Sequence, residues 1–457
     1  MKKRFLMLFI SFLIFVCTGN ALWGSEKPPV KFDPKGKVST FDFFEKEYRS
    51  LWNSLSEEEQ FAIACSSNVF ERNKQFHLDF TNNTVFDRKT RKGINVLNEN
   101  WKIFNYEQLM ENFNELTEGE QAQKYRDLLS LLEQYPDLTP LEIGIKEDLT
   151  VTAVSRMYMI QDKKEVLGIH GIEAWIDARR ISIIRWGISA GYIEEAEARN
   201  LIYPIVKKIK DDYINFEDFI SHWMAGYCFN AVFDSECPEC SLDLIDAYNS
   251  CRAYIPYEEL KFTGINADKN HAMKIEDSIY TPSETASKMI PAQKAYKRYV
   301  NEDPDISIYD AFLQAEKDYP EISNLLVLCR FILMVEYADY DQRIEYAESK
   351  MDYLNSISPE SETYYYVIHI YMSDLVKIHK AEKALNVYKN LPLQLQTDET
   401  VYYIYGYANY LMSFTCSSIL ERDIYVSRAK TVFKYLSDRN YNLGDFIKSW
   451  LQTQQQY

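Results

Sequence analysis

Residues 171–230 constrain the fold most, because they spell three helices joined by turns too short to let them separate. The first is read from about Glu173 to Ala190. Ile176, Ile183, Ile184 and Ala190 recur near helical spacing, and Gly191 stands where a left-handed C-cap is needed. The second opens with Glu194, Glu195 and Glu197 and closes with Lys207, Lys208 and Lys210, a charge order that complements the helix dipole. The third starts at Asn215, an N-cap residue, with Asp218 in a capping-box-like position. Its stripe is Phe216, Phe219, Ile220, Trp223 and Tyr227. Short connections of this kind make antiparallel neighbours.

Glycine is scarce in this chain, 14 residues in 457, against an average of roughly 7%. That argues against phosphate loops and tight β-turn architectures and for an all-α fold. The net charge of −17 opposes binding to nucleic acid and anionic lipid headgroups.

The run Asp177-x-x-Arg180, Arg185-Trp186-Gly187, Gly191-Tyr192-Ile193, Glu197-Ala198 and Gly226 resembles the DUF1266 family. Trp101-Lys102-Ile103 with Leu109 and Leu116 is similar to that family's first helix, so the likeness covers about residues 95–260. The chain departs from the pattern at Ile176, at Asn215-Phe216 and at Tyr227, where the resemblance leads one to expect Arg. The resemblance implies a helical domain of a bacterial family of unknown function, and no reaction.

The N-terminus reads as a signal sequence. Lys2, Lys3 and Arg4 precede an apolar run from Phe5 to Val16, and Gly19 and Ala21 suit cleavage after Ala21. The apolar run is shorter than the roughly 20 residues of a membrane span. A lipid anchor at Cys17 is disfavoured because Phe15 and Val16 are bulky before it. The expectation is an exported protein of the periplasm or cell surface, without a membrane span.

Beyond residues 1–21, the chain divides into a leader and helical segment over 22–94, a DUF1266-like domain over 95–262, a linker over 263–302 and helical repeats over 303–450. Ser56 caps a helix reaching about Val69; residues 71–98 read as a loop or a short strand pair. Helices follow at 105–116, 120–134 and 147–162, with Thr139-Pro140 opening another. Pro256, Gly264, Pro282 and Pro291 suggest the linker. In the C-terminal part, Pro320-Glu321, Pro359-Glu360 and Thr397-Asp398-Glu399 each open an aromatic-rich helix. A second helix follows each, near Asp341, His379 and Glu421, with Ala347, Ala384 and Ala429 at similar depth. Such helix pairs indicate an α-solenoid. Residues 377–392 resemble the second helix of a tetratricopeptide (TPR) repeat, although these pairs are spaced more widely than its roughly 34 residues.

Chemistry is sparse. There is no H-E-x-x-H, G-x-S-x-G, P-loop or G-x-G-x-x-G motif, and the six His show no metal-ligand spacing. No cofactor and no metal is expected. Asp177, Arg180 and His222 are the catalytic candidates, within a wider group of Arg179, Arg185 and Glu197. An Asp–Arg pair near a His suits acid–base work or an anionic ligand, while a packing ion network is the structural alternative. Cys228, Cys237, Cys240 and Cys251 form a C-x8-C-x2-C-x10-C cluster. In an exported chain its default is one or two disulfides; reduced thiols, a zinc site and a redox pair remain alternatives.

The solenoid tyrosines, among them Tyr364, Tyr371, Tyr402 and Tyr405, exceed what one core face can hold, so some should line a groove for a protein or peptide partner. The leading expectation is therefore a protein–protein interaction module, and the alternative an enzyme or anion-binding protein using Asp177, Arg180 and His222.

Overall fold

The structure is a computed structural model. It describes residues 49–73, 80–81, 92–118, 120–231, 237–252, 255–268, 272–303 and 305–454. The signal-sequence reading, Cys17, the leader over 22–40 and most of 71–91 lie outside the described residues. Among the described residues there are helices and turns but no strand, so the fold is all-α. The chain forms two compact units, one of residues 1–140 with 152–302, the other of 141–151 with 303–457.

The first unit contains α1 (Glu57–Arg72), α2 (Tyr106–Glu118), α3 (Glu120–Gln134), α4 (Val151–Leu167), α5 (Glu173–Ala190), α6 (Glu195–Asp212), α7 (Phe216–Ala231), α8 (Cys237–Arg252) and α9 (Ile290–Asn301). Helix α5 is its axis. Apolar residues surround it on all sides, from Ala174 and Trp175 through Ile181, Ile183 and Ile184 to Trp186 and Ile188. A helix apolar all round must be covered all round, and α1, α2, α6 and α7 pack against it. Gly191 ends it with φ 74°, donating to Gly187 and Ile188 carbonyls. Two glycines set the packing distance. A Cβ at Gly187 would lie 2.5 Å from Leu109 Cδ2, and one at Gly226 2.6 Å from Trp175 Cβ.

The caps are local and match their sequence signals. Ser56 accepts from Glu59 N, and Glu59 accepts from Ser56 N, a full capping box. At α7, Asn215 accepts from Asp218 N at 2.9 Å, but Asp218 reaches back to Ile214 N rather than to Asn215 N. Arg199 then ties α6 to α1 through Glu59 at 3.0 Å.

Two expectations change. Residues 92–95 are an α-helix continuing into a π-helical turn, Val96–Asn100, where a loop or strand pair was expected. Residues 263–302, read as a linker, belong to the first unit. Thr263 and Asn266 cap the end of α6 by donating to Asp211 and Asp212 at 2.6 and 3.0 Å. Met273, Tyr280 and Met289 are buried. Proline and glycine mark turns, but turns wrapped on a core look the same in sequence as turns in solvent.

The second unit contains α10 (Ile306–Asp318), α11 (Val327–Tyr337), α12 (Tyr340–Ser349), α13 (Glu362–Lys377), α14 (Ala381–Asn390), α15 (Glu399–Thr415), α16 (Ile419–Asp438) and α17 (Gly444–Gln454). Helices α11–α12, α13–α14 and α15–α16 are consecutive pairs; α13 and α15 open close to Pro359-Glu360 and Thr397-Asp398-Glu399, but Pro320-Glu321 opens only a 3-10 turn and α11 starts later, at Val327. Ala347, Ala384 and Ala429, on the second helix of each pair, have no solvent exposure. A small residue at that depth lets the partner helix approach. A buried ion pair joins two pairs: Arg343 on α12 donates to both carboxylate oxygens of Asp374 on α13, at 2.7 and 3.0 Å, and to the Ala338 carbonyl at 2.7 Å.

Candidate functional site in the first unit

Helix α5 puts Glu173 and Asp177 one turn apart, facing the last turn of α6. Lys208 on α6 reaches across and contacts three carboxylates: Glu173 at 2.5 Å, Asp177 at 3.1 Å and Asp212 at 3.3 Å. Arg180 meets the other oxygen of Asp177 at 3.4 Å. Burial pushes the Asp177 carboxyl up against the pull of Lys208 and Arg180. Burial would lower Lys208, but the carboxylates around it win and hold it above its ordinary value.

Beside this network three rings meet. His170 lies in the turn before α5, between Gly168 and Gly171, both with positive φ. Tyr213 follows α6 directly, and His222 is on α7. Their centroids are 5.1 Å (His170–Tyr213), 5.2 Å (Tyr213–His222) and 6.0 Å (His170–His222) apart. His222 Nδ1 lies 3.0 Å from the Asp218 carbonyl, the geometry of an N–H donating to it, and 3.4 Å from Asp218 Oδ1. Burial raises the Asp218 carboxyl, but His222 and the amides of Ile214 and Met273 outweigh it, so it titrates low.

Tyr213 Oη, His170 Nε2 and Arg180 Nε have no hydrogen-bond partner here, and neither has Trp223 Nε1 on α7. Burial lowers His170, which favours neutral imidazole. Burial, then Asp177, Glu173, Asp212 and Asp218, raises Tyr213 well above the usual phenol range, so its hydroxyl keeps its proton. On α1, burial and then Asp177 raise the Cys65 thiol, which makes it a poor nucleophile.

The sequence-predicted residues are thus distributed over two partnerships. Asp177 and Arg180 pair as their spacing suggests, with Lys208 as a further cation on Asp177. His222 pairs with Asp218, and Tyr213 stands between the groups. Arg179 lies over the rings of Trp101 and Trp175, at 4.6 and 4.4 Å. Arg185 donates to Ser66 Oγ at 2.6 Å and the Phe80 carbonyl at 3.2 Å. Glu197 accepts from the Tyr106 hydroxyl at 2.6 Å. Lys208, Tyr213 and His170 were missed. Lys208 was legible only as a helix-end cation, and nothing in a sequence ties His170 to Tyr213.

Contrary to the disulfide expectation, Cys251 on α8 is a buried thiol outside any disulfide, beside Ser67 and Tyr257, and Cys228 on α7 is buried as well. The side chains of Cys237 and Cys240 lie outside the described residues. In the second unit, Tyr364 and Tyr371 are buried in the core, with the Tyr371 hydroxyl donating to Glu348 at 3.2 Å. Both stand on one face of α13, and that face points inward, so they do not line a groove. Tyr402 and Tyr405 are half-buried. Tyr405 stacks on Tyr388 at 4.0 Å, and Tyr402 meets Tyr435 edge-on at 5.5 Å. A group of exposed apolar side chains stands elsewhere in this unit: Phe414 at the end of α15, Ile419 and Leu420 at the start of α16, and Phe446 on α17. Phe414 and Phe446 both lie against Tyr410, at 4.9 and 5.8 Å.

The model of a family described as protein of unknown function (DUF1266) matches residues 96–251, the central region that holds α5, α6 and α7. Among curated proteins and solved structures, nothing matches the chain.

Proposed function

We propose that the protein is an exported interaction module whose second unit docks a partner protein through the apolar surface at Phe414, Ile419, Leu420 and Phe446. The observation that carries this reading is the exposure of those four side chains together, Ile419 at 76% and Phe414 at 66%. Large apolar groups gathered at one end of stacked helices favour a protein partner over a small ligand. The same helices carry charges of both signs, with Glu421 and Asp445 directly beside Leu420 and Phe446. The partner that fits is an amphipathic protein segment that lays its apolar face on these side chains. Export rests on the sequence of residues 1–21, and the helix pairs agree with the TPR-like reading of 303–450.

The test is photo-crosslinking in cells with a reactive residue placed at Leu420, at Phe446 and, as a control, at Leu393. Leu393 is also exposed but precedes the start of α15, whereas Phe414 ends that helix. A discrete adduct from Leu420 and Phe446 alone, lost on Phe414→Ser with Ile419→Ser, supports the reading. Equal products from Leu393, or none from Leu420 and Phe446, overturn it.

A further inference from the structure

The charges on α16 select what the docking surface holds. On that helix Glu421, Ile424 and Arg428 follow one another at spacings of three and four, so they share a face. All three are exposed, as is Leu420 one turn before Ile424. The face therefore reads acid, apolar, base along about 10 Å of helix. Among the described residues, neither Glu421 nor Arg428 has an ion-pair partner. The surroundings matter as well. Residues 414–454 hold six Lys and Arg and four Asp and Glu, a net of +2, so the rest of the chain stands at −19. Two copies of so acidic a chain repel each other. At physiological salt, however, the charges that count lie within roughly 8–10 Å of the contact. The end of the second unit is thus a place where two copies can meet without that repulsion.

We propose, resting on the docking reading above, that the protein docked on this surface is a second copy of the same chain. The two α16 helices cross antiparallel about a twofold axis near Ile424. Glu421 of each copy then faces Arg428 of the other, and Leu420 and Ile424 pack between them. A twofold contact has to be self-complementary, residue i meeting j while j meets i. The order acid, apolar, base meets that condition when one helix is reversed on the other. A parallel crossing would set Glu421 on Glu421 and Arg428 on Arg428. The ion pairs fix the register, and burial of the exposed apolar side chains drives the association.

The experiment is sedimentation equilibrium of the full chain over a dilution series, for wild type, Glu421→Arg, Arg428→Glu and an equimolar mixture of the two variants. Wild type should be a reversible dimer. Each variant alone puts like charges opposite each other twice, and its dimer should weaken at least about tenfold. In the mixture the signs match again at both contacts, so a dimer of one copy of each should return. That recovery also shows that both variants are folded. A wild type that stays monomeric, variants that dimerise as wild type does, or a mixture that stays monomeric overturns the proposal. The docking reading has its own arm. If wild type is monomeric while Leu420 cross-links in cells to a different protein, the second copy is refuted and the docking surface stands. If wild type is monomeric and Leu420 and Phe446 give no adduct, both fall.

Discussion

Arg343 and Asp374 form a two-pronged ion pair, 2.7 and 3.0 Å long, where the Asp374 side chain has no solvent exposure. Nε and Nη2 of Arg343 each donate to one oxygen of Asp374, and Nη1 donates to the Ala338 carbonyl. A buried pair this well satisfied fixes how α12 meets α13. Truncating one side leaves an orphan charge in a dry place. Asp374→Ala should cost about 3–5 kcal/mol. The double change Asp374→Leu with Arg343→Met should recover much of it. Urea unfolding of the three proteins checks the order, and a fully stable Asp374→Ala would refute it.

The Asp177 network is looser, and its cost should be smaller. Lys208 is 42% exposed and keeps Glu173 and Asp212 when Asp177 is lost. Only Arg180 is stranded. Asp177→Ala should therefore cost about 1–3 kcal/mol, between the exposed and buried limits. Asp177→Leu with Arg180→Met should return most of it. Melting curves of the single and double variants decide; a melting point raised in the single variant would instead mark a residue held at the expense of stability.

High pH should unfold this protein steeply. Burial, with nearby acids, raises Tyr125 and Tyr248 to about 12 each, and raises Tyr213 and Tyr257 well above their ordinary value. In the unfolded chain these phenols ionise near their usual value of roughly 10. Between that value and the folded one, the native state holds more protons, so stability falls as pH rises. Their contribution is fully present below pH ~10 and is lost through the window up to ~12. Urea midpoints followed with tyrosinate absorbance should show the loss and the ionisation together. Ionisation at the free-tyrosine value with no loss of stability would contradict the burial of these rings.

Gly187 and Gly226 are both close-packing positions, yet they should not be equally sensitive. A Cβ at Gly187 meets the far end of the Leu109 side chain, which can turn away. A Cβ at Gly226 meets the Cβ of Trp175, with Ile172 Cα at 3.4 Å, and neither can move without its backbone. Gly226→Ala should cost about 1–3 kcal/mol of overpacking, and Gly187→Ala clearly less. Chemical denaturation of both variants ranks them.

What could be read from the chain was local. The C-cap at Gly191, the capping box of Ser56 and Glu59 and the bounds of Glu120–Gln134 all follow from residues within a few positions of each other. The openings of α13 and α15 in the second unit were legible for the same reason. The site was legible only as far as one helix carries it: Asp177 and Arg180 share a face of α5, and Asp218 and His222 share a turn of α7. Their assembly depends on Lys208 and Tyr213 coming back from the end of α6, and on His170 arriving from the turn before α5. Those meetings are products of packing. The tyrosine surplus misled for a related reason. Tyr364 and Tyr371 lie two turns apart, which says that they share a face but not whether that face looks in or out.

The second unit takes its first strip of chain, residues 141–151, from the middle of the sequence that builds the first. The hydroxyl of Tyr353 is held there by Asp148 at 3.1 Å, and Ile145 packs on its core. The polypeptide is therefore stitched, and no single cut yields two whole parts. A gene fragment carrying only residues 303–457 would lack a piece of its own interior. Duplication or shuffling of the helix pairs as a free cassette would carry the same defect, so the two units are bound to be inherited, expressed and lost together.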